Sequence, residues 1–124
     1  KMLHWTKPMV MGDVPTQGLR SHTANVVGSK IYVVGGSDLS SEFNQLLIFD
    51  TETCYWWKPS PTGTIPEPRR AHSTTLVDNR LFVFGGGDGT SYFDNLYVFD
   101  VDKLHWLKPE VKGKPPSARR AHSS

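Results

Sequence analysis

The sequence has almost no cysteine and no long apolar run. Its single cysteine, Cys54, has no second cysteine in the chain with which to form a disulfide, which favours a reducing, intracellular compartment, namely the cytoplasm. No stretch approaches the roughly 18 apolar residues of a membrane-spanning helix, and the first residues lack the apolar core of a signal peptide. We therefore expect no membrane association.

An excess of charge of either sign is also missing. Fourteen Lys and Arg residues stand against twelve Asp and Glu residues, so the formal net charge is only +2. This balance excludes a strongly basic nucleic-acid-binding protein and an acidic tail. Hydrophobic residues make up 37% of the chain and aromatic residues 11%, which is enough for a packed core in 124 residues and excludes wholesale disorder.

A repeat with a period of 50 residues runs through the chain. The segment Pro-Glu-Pro-Arg-Arg-Ala-His-Ser, which begins at Pro66, returns at Pro116 as Pro-Ser-Ala-Arg-Arg-Ala-His-Ser. Trp5 precedes Trp56 by 51 residues, so the first linker has one extra residue and Leu3–Lys7 is predicted to be the last strand of an earlier unit. The landmarks that share the period of 50 are the histidines His22, His72 and His122, the glycine pairs at Gly35 and Gly85, the Phe-Asp pairs at Phe49 and Phe99, and the tryptophans Trp56 and Trp106.

Each complete copy of the repeat predicts four short antiparallel strands and no helix. In the second copy the predicted strands are residues 72–77, 80–85, 95–100 and 104–108, with turns at Asp78-Asn79 and Asp102-Lys103. Such a small sheet has two apolar faces that it cannot bury alone, so neighbouring sheets must stack. Radial stacking gives a β-propeller, and the sequence therefore predicts an all-β fold of this kind.

The landmarks resemble the kelch repeat, in which a double glycine ends one strand, an aromatic residue lies in the next, and a tryptophan follows seven positions later. The matching residues are Gly35, Gly36, Phe49 and Trp56 in one copy and Gly85, Gly86, Phe99 and Trp106 in the other. The resemblance implies a partial β-propeller, built from antiparallel four-stranded kelch blades, of the galactose oxidase-like superfamily. It also implies a protein-interaction scaffold, since kelch propellers serve mostly as interaction platforms and a minority are enzymes.

The phase of the repeat divides the chain into five segments. These are residues 1–20, the last strand of a preceding blade plus a linker; residues 21–59, the first complete blade; residues 60–70, an interblade loop; residues 71–109, the second complete blade; and residues 110–124, an interblade loop and the start of the next blade. Two complete blades are fewer than the roughly four to eight of a closed propeller. We therefore expect an excerpt of a longer propeller or an engineered fragment of one, and we expect it to self-associate into a homo-oligomer through its exposed blade faces.

The connections after the second and fourth strands of each blade are long, and strand parity places them on one side of the sheet. Long loops on a rigid scaffold are where binding residues concentrate. The two second-to-third loops differ most between the copies, which indicates that stacking does not depend on them. The predicted partner-contact residues are Leu39 and Glu42 in the first of these loops and Thr90 and Tyr92 in the second, whereas the recurring Asp38 and Asp88 are predicted to stabilise turns. A solvated loop without a partner is the alternative.

Three arginines at one repeat position, Arg20, Arg70 and Arg120, precede the strand that lines the central channel in such blades. They are predicted to form a basic ring that attracts an acidic region of a partner protein. Because they recur identically together with the histidines, a structural role, such as hydrogen bonding to loop carbonyls, is the favoured of the two readings.

No catalytic or metal-binding constellation stands out from the repeat. Cys54 and Tyr55 are neighbours whose side chains are expected on opposite faces of a strand, which disfavours the Cys–Tyr crosslink of a copper-radical oxidase. Patterns of a hydrolase nucleophile elbow, a phosphate-binding loop and an EF-hand are also missing. We therefore expect no enzyme activity, no metal and no cofactor. The sequence favours a non-catalytic interaction module with a protein or peptide partner; the alternative is a metal- or small-ligand-binding fragment of an oxidase-like kelch propeller.

Overall fold

The computed structural model describes residues 3–16, 18–110 and 113, and within these ranges the chain is all-β. Two five-stranded sheets form, one from residues 11–57, the first unit, and one from residues 62–107, the second unit. The strands of the first unit are β1 (Met11–Gly12), β2 (Thr23–Val27), β3 (Lys30–Val34), β4 (Leu46–Asp50) and β5 (Tyr55–Trp57). Those of the second unit are β6 (Thr62–Gly63), β7 (Ser73–Val77), β8 (Arg80–Phe84), β9 (Leu96–Asp100) and β10 (His105–Leu107). The described part of the chain contains no helix of the length and apolarity that a bilayer span requires.

Four strands of each unit form the antiparallel meander that the sequence predicts. The register repeats between the units, because Phe49 pairs with Trp56 in the first and Phe99 with Trp106 in the second. The ring centroids of these pairs are 4.8 Å and 4.9 Å apart, in tilted arrangements. The all-β, partial-propeller prediction is therefore confirmed, whereas the residue boundaries assigned to the five segments stay a prediction.

A fifth, two-residue strand in each unit was not expected from the sequence. It comes from the linker before the meander and pairs in parallel with the outermost strand, β1 with β5 and β6 with β10. Gly12 and Gly63 occupy this strand with φ of +89° and +91°. A Cβ at either position would collide with the carbonyl oxygen of Trp56 or Trp106, so only glycine fits there. The linker is consequently part of the sheet that follows it.

The predicted strand over Leu3–Lys7 is wrong, since residues 3–10 contain no strand. Trp5 is fully exposed and does not occupy the position of Trp56 or Trp106. A strand needs a neighbour with which to exchange hydrogen bonds, and within the described ranges no strand lies beside this segment.

The hydrophobic core lies between the two sheets. It consists of Tyr32, Val34, Leu46 and Ile48 from β3 and β4, facing Leu81, Val83, Tyr97, Phe99 and Trp106 from β8, β9 and β10. Because side chains alternate along a strand, the intervening Phe49 and its partner Trp56 lie on the opposite face of the first sheet, where both are half-buried. The two units thus use opposite faces of equivalent sheets to pack on each other.

The glycine pair after β3 lies where three backbone segments crowd together. Gly35 and Gly36 have φ of +63° and +99°. A Cβ on Gly35 would lie 2.8 Å from the carbonyl oxygen of Arg69, and one on Gly36 would lie 2.9 Å from the Cβ of His22. The Gly36 N–H donates to the Arg69 carbonyl at 2.9 Å. The pair therefore lets the linker of the second unit cross the end of the first sheet.

Candidate functional site

The long loops of the two units are joined to each other by hydrogen bonds. The β3–β4 loop (residues 35–45) contacts the linker before β7, because the Arg69 N–H donates to the Phe43 carbonyl at 3.0 Å and the Asn44 amide donates to the Pro66 carbonyl at 3.1 Å. We call the surface formed by this loop, the β8–β9 loop (residues 85–95) and the linker residues 64–70 the long-loop face. It contains the predicted contact residues Leu39, Glu42, Thr90, Tyr92 and Arg70, and Arg20 lies beside it because its backbone pairs with that of Ser37 in the β3–β4 loop.

The tip of each long loop is held by one aspartate. The Asp38 carboxylate accepts the N–H groups of Ser40 and Ser41 at 2.7 Å and 2.8 Å. Asp88 accepts those of Thr90 and Ser91 at 2.9 Å and 2.8 Å. These backbone hydrogen bonds lower the pKa of both carboxyl groups from their ordinary values. The predicted turn-stabilising role of the two aspartates is confirmed, and the loop tips are consequently well defined.

Three of the predicted contact residues lie exposed on these tips. Leu39 is 94% exposed and Tyr92 is 56% exposed. Thr90 is exposed as well, but its hydroxyl donates to the Asp88 carboxylate at 2.8 Å. Leu39 and Tyr92 therefore expose apolar surface, whereas the Thr90 side chain stabilises its own turn.

Glu42 reaches from the first long loop to the second unit. Its Oε1 lies 3.5 Å from the Nε of Arg70, and both side chains are about three-quarters buried. The same oxygen would lie 3.4 Å from a Cβ placed on Gly89 in the β8–β9 loop. Two residues that the sequence assigns to partner binding therefore contact each other across the boundary between the units.

The predicted basic ring is represented in the described residues by Arg20 and Arg70, and Arg120 lies outside them. Arg20 is exposed, and its backbone exchanges two hydrogen bonds with Ser37 at 2.9 Å and 3.0 Å. The backbone of Arg70 does the same with Gly87 at 3.0 Å. The recurring position thus has a structural role through its main chain, while the Arg20 side chain remains open to solvent.

Arg69, next to the predicted Arg70, is the buried charged group of this face, and sequence reasoning missed it. Its side chain is almost completely buried. One guanidinium nitrogen donates to the Gly85 carbonyl and to Asn95 Oδ1, both at 2.9 Å, and the other donates to Glu67 at 2.8 Å. The group also lies 4.5 Å from the centroid of the Phe93 ring.

The electrostatics of this cluster keep the Arg69–Glu67 pair ionised. Burial lowers the pKa of the guanidinium, and the carboxylate of Glu67 opposes that shift. Burial raises the pKa of Glu67, but hydrogen bonds from its own backbone and from the Tyr97 hydroxyl, with the charge of Arg69, leave it below its ordinary value. Burial and the neighbouring Glu67 charge raise the pKa of Tyr97. An arginine remains charged in such a setting, so the cluster pairs a buried guanidinium with a carboxylate that is about half exposed.

The histidines and the cysteine do not assemble a metal site in the described ranges, where no three His, Cys, Asp or Glu side chains lie together. His72 Nε2 instead lies 3.1 Å from the hydroxyl of Thr23, which in turn lies 2.7 Å from that of Thr74, so this chain of contacts links β2 to β7. Cys54 lies in the turn before β5 with φ of +57°, and not in a strand beside Tyr55 as the sequence argument assumed.

Comparison with protein-family models gives a match over residues 1–124 to the model described as "KLHDC2/KLHL20/DRC7 Kelch-repeats domain". The chain is also similar to the Rab9 effector protein with kelch motifs of Mus musculus, with 42% identity over 68 residues, or 52% of this chain and 18% of that protein. It is 35% identical over 74 residues to the Rho GTPase-activating protein gacHH of Dictyostelium discoideum, which covers 54% of this chain and 5% of that protein.

Kelch domain-containing protein 1 of Mus musculus is 37% identical over 52 residues, or 42% of this chain and 13% of that protein. The matched region spans less than a fifth of the length of each of these three relatives.

Proposed function

Since this chain belongs to the kelch-repeat family, we propose that it is a non-catalytic interaction module whose long-loop face contacts a protein or peptide. The observation that carries the proposal is the exposure of Leu39 and Tyr92 on loop tips that aspartates hold in place. Two relatives bear names that refer to small GTPases, the Rab9 effector protein with kelch motifs and the Rho GTPase-activating protein gacHH. These names support a protein partner for this chain as well.

The proposed contact residues divide into an apolar and a charged group. Leu39 and Tyr92 supply apolar and aromatic surface, which interfaces favour at their centre. Glu42, Thr90, Arg20 and Arg70 supply polar and charged groups around them, and Arg120 is assigned to the same role from the repeat. Because the loop tips are held by backbone hydrogen bonds to Asp38 and Asp88, little ordering cost opposes binding.

A peptide selection against the immobilised chain tests this proposal. Random dodecapeptides displayed on phage are selected on the wild-type protein, and the enriched peptides are measured by titration against the double variant Leu39→Ala/Tyr92→Ala. We expect the double substitution to weaken binding at least about tenfold, since central apolar contacts carry most of the affinity of an interface.

Val26→Ala is the matched control, because Val26 is 62% exposed but lies on β2 and outside the long-loop face. Unchanged binding by the double variant, or equal losses in the control, would contradict the proposal. Metal analysis of the purified protein covers the oxidase-like alternative, because that reading requires stoichiometric copper or iron.

A further inference from the structure

The cluster around Arg69 has a counterpart in the first unit that lacks its arginine. The groups that bond to the guanidinium or stack against it all belong to the second unit. They are Glu67, Gly85, Phe93, Asn95 and Tyr97. The residues 50 positions earlier are Leu19 for Arg69, Phe43 for Phe93, Gln45 for Asn95 and Leu47 for Tyr97. Thr16 stands 51 positions before Glu67, as Pro15 does before Pro66, because the first linker has one extra residue. One of the two aromatic rings, as Phe43, and a side-chain amide, as Gln45, are thus retained, whereas Leu47 replaces the second ring and the cation and its carboxylate are both absent.

An open cleft occupies this place in the first unit. Its volume is about 380 Å³, and all five of the equivalent residues, Thr16, Leu19, Phe43, Gln45 and Leu47, line it. Leucine is shorter than arginine and has no polar group. The presence of Leu19 at the position of Arg69 therefore leaves space where the second unit holds a guanidinium. We call this space the first-unit cleft.

The lining of the first-unit cleft matches the two parts of an arginine side chain. Phe43 and Leu47 supply apolar surface for the aliphatic stem and for the flat face of the guanidinium. Gln45 supplies an amide oxygen, and the Asp13 carboxylate also lines the cleft, where it accepts the Lys58 N–H at 2.9 Å. Asp13 therefore brings a negative charge, in place of the lost glutamate, to the same cleft.

The ammonium of Lys58, which also lines the cleft, does not argue against a bound cation. Its counterpart Lys108 lies 5.6 Å from the centroid of the Tyr97 ring, and the Arg69 guanidinium lies 5.1 Å from the same ring. A lysine at this repeat position is consequently compatible with a guanidinium beside it.

We propose that the first-unit cleft binds an arginine side chain of a partner polypeptide, in the place that Arg69 fills from within in the second unit. The inference rests on the proposed function in one respect, namely that the partner is a polypeptide. It concerns a different place in the molecule, because the first-unit cleft is separate from the loop tips. Binding of a small arginine derivative to the cleft can be measured without any partner. Failure of that titration would therefore contradict this inference alone, and failure of the peptide selection would contradict the proposed function alone.

Titration of the isotope-labelled chain with N-acetyl-arginine methylamide, followed by NMR, tests the inference. We expect shifts of the Gln45 side-chain amide and the Phe43 ring. The citrulline analogue, which has the same shape without the charge, should bind at least about tenfold more weakly, because charge-assisted hydrogen bonds are the stronger ones. Absence of shifts with the arginine probe, or equal binding of the citrulline or leucine analogue, would overturn the proposal.

A substitution that fills the cleft from within gives the second test. Leu19→Arg recreates the residue of the second unit and should abolish binding of the arginine probe without lowering the melting temperature. Val26→Arg is the matched control, since it adds the same charge at an exposed position on β2 and should leave binding unchanged. Retained probe binding in a folded Leu19→Arg protein would contradict the inference.

If the Leu19→Arg protein does not fold, the variants Asp13→Asn and Gln45→Leu test the inference in its place. Each removes one polar partner of the guanidinium and is expected to weaken the arginine probe about five- to tenfold while leaving the leucine analogue unaffected. Light scattering identifies a second copy as the occupant. Dimers that the arginine probe dissociates would support the proposal, with a second copy as the polypeptide that supplies the arginine, whereas dimers in which the probe no longer shifts Gln45 or Phe43 would contradict it.

Discussion

At the scale of single residues, two adjacent arginines have opposite environments. Arg70 lies at the boundary between the units, paired with Glu42, whereas the side chain of Arg69 is buried against Phe93 and Tyr97. An exposed or partly exposed ion pair contributes about 0–1 kcal/mol. A buried guanidinium with satisfied acceptors contributes more to specificity, because its removal leaves those acceptors without donors.

Arg69→Leu is expected to lower the free energy of unfolding by about 1–3 kcal/mol, because the Gly85 carbonyl and the Asn95 amide lose their buried donor. Arg70→Leu, the control next to it, should cost less than about 1 kcal/mol. Urea unfolding followed by circular dichroism measures both changes.

The triple variant Glu67→Thr/Arg69→Leu/Tyr97→Leu copies the first unit into the second. It should cost less than the sum of its three single substitutions, since members of one network are not additive. A strictly additive loss would show that the three residues do not act as one cluster.

At the scale of the strands, the sequence predicts the meander correctly and misses its fifth strand. The period of 50 aligns the strands of the two copies, and apolar runs bounded by turn residues locate each of them. The strands β1 and β6 have two residues each, too few for any alternation to be visible. The recurrence of Gly12 and Gly63 was the available signal, since a glycine kept at one repeat position indicates a special backbone conformation.

Gly63→Ala is expected to destabilise the protein by about 1–3 kcal/mol, since alanine must adopt an unfavourable φ and would collide with the Trp106 carbonyl. Hydrogen exchange of the Thr64 amide, which donates to that carbonyl at 3.0 Å, should speed up at the same time. Gly18→Ala is the control, because nothing lies within 4 Å of a Cβ there and its φ is not positive. Equal effects of both substitutions would contradict a role for β6 in the sheet.

The candidate site was less predictable than the strands because it depends on side-chain directions. Divergence between the copies singled out Leu39 and Tyr92, and both lie exposed on the long-loop face. The pairing of Glu42 with Arg70 crosses between units, so no pattern within one copy shows it. Arg69 and Arg70 are consecutive and both recur after Pro116 as Arg-Arg, so the sequence alone does not reveal which of them is buried.

At the scale of the whole molecule, the contact between the two sheets holds the chain together. The core residues of the first unit come from one face of its sheet and those of the second unit from the opposite face. Equivalent residues of the repeat therefore have unequal burial. Trp106 is 1% exposed within the core, whereas its counterpart Trp56 lies half-buried on the face away from the second unit.

Trp106→Ala should lower the free energy of unfolding by about 3–5 kcal/mol, as expected for a large aromatic residue removed from a packed core. Trp56→Ala should cost clearly less, because its side chain retains more contact with solvent in the folded state. Urea unfolding and light scattering compare the two variants. Equal losses would mean that the outer face of the first sheet is as tightly packed as the contact between the sheets.

The hydrogen bonds made by Arg69 in the linker also determine how the two long loops lie relative to each other. The main chain of Arg69 is fastened to the first unit through Gly36 and Phe43, while its side chain is fastened to the second. These bonds oppose rotation of one unit against the other, so they help to fix the separation between the two loop tips. A partner that touches both tips must carry complementary features at that separation, and selectivity would then arise from spacing as much as from the chemistry of each contact.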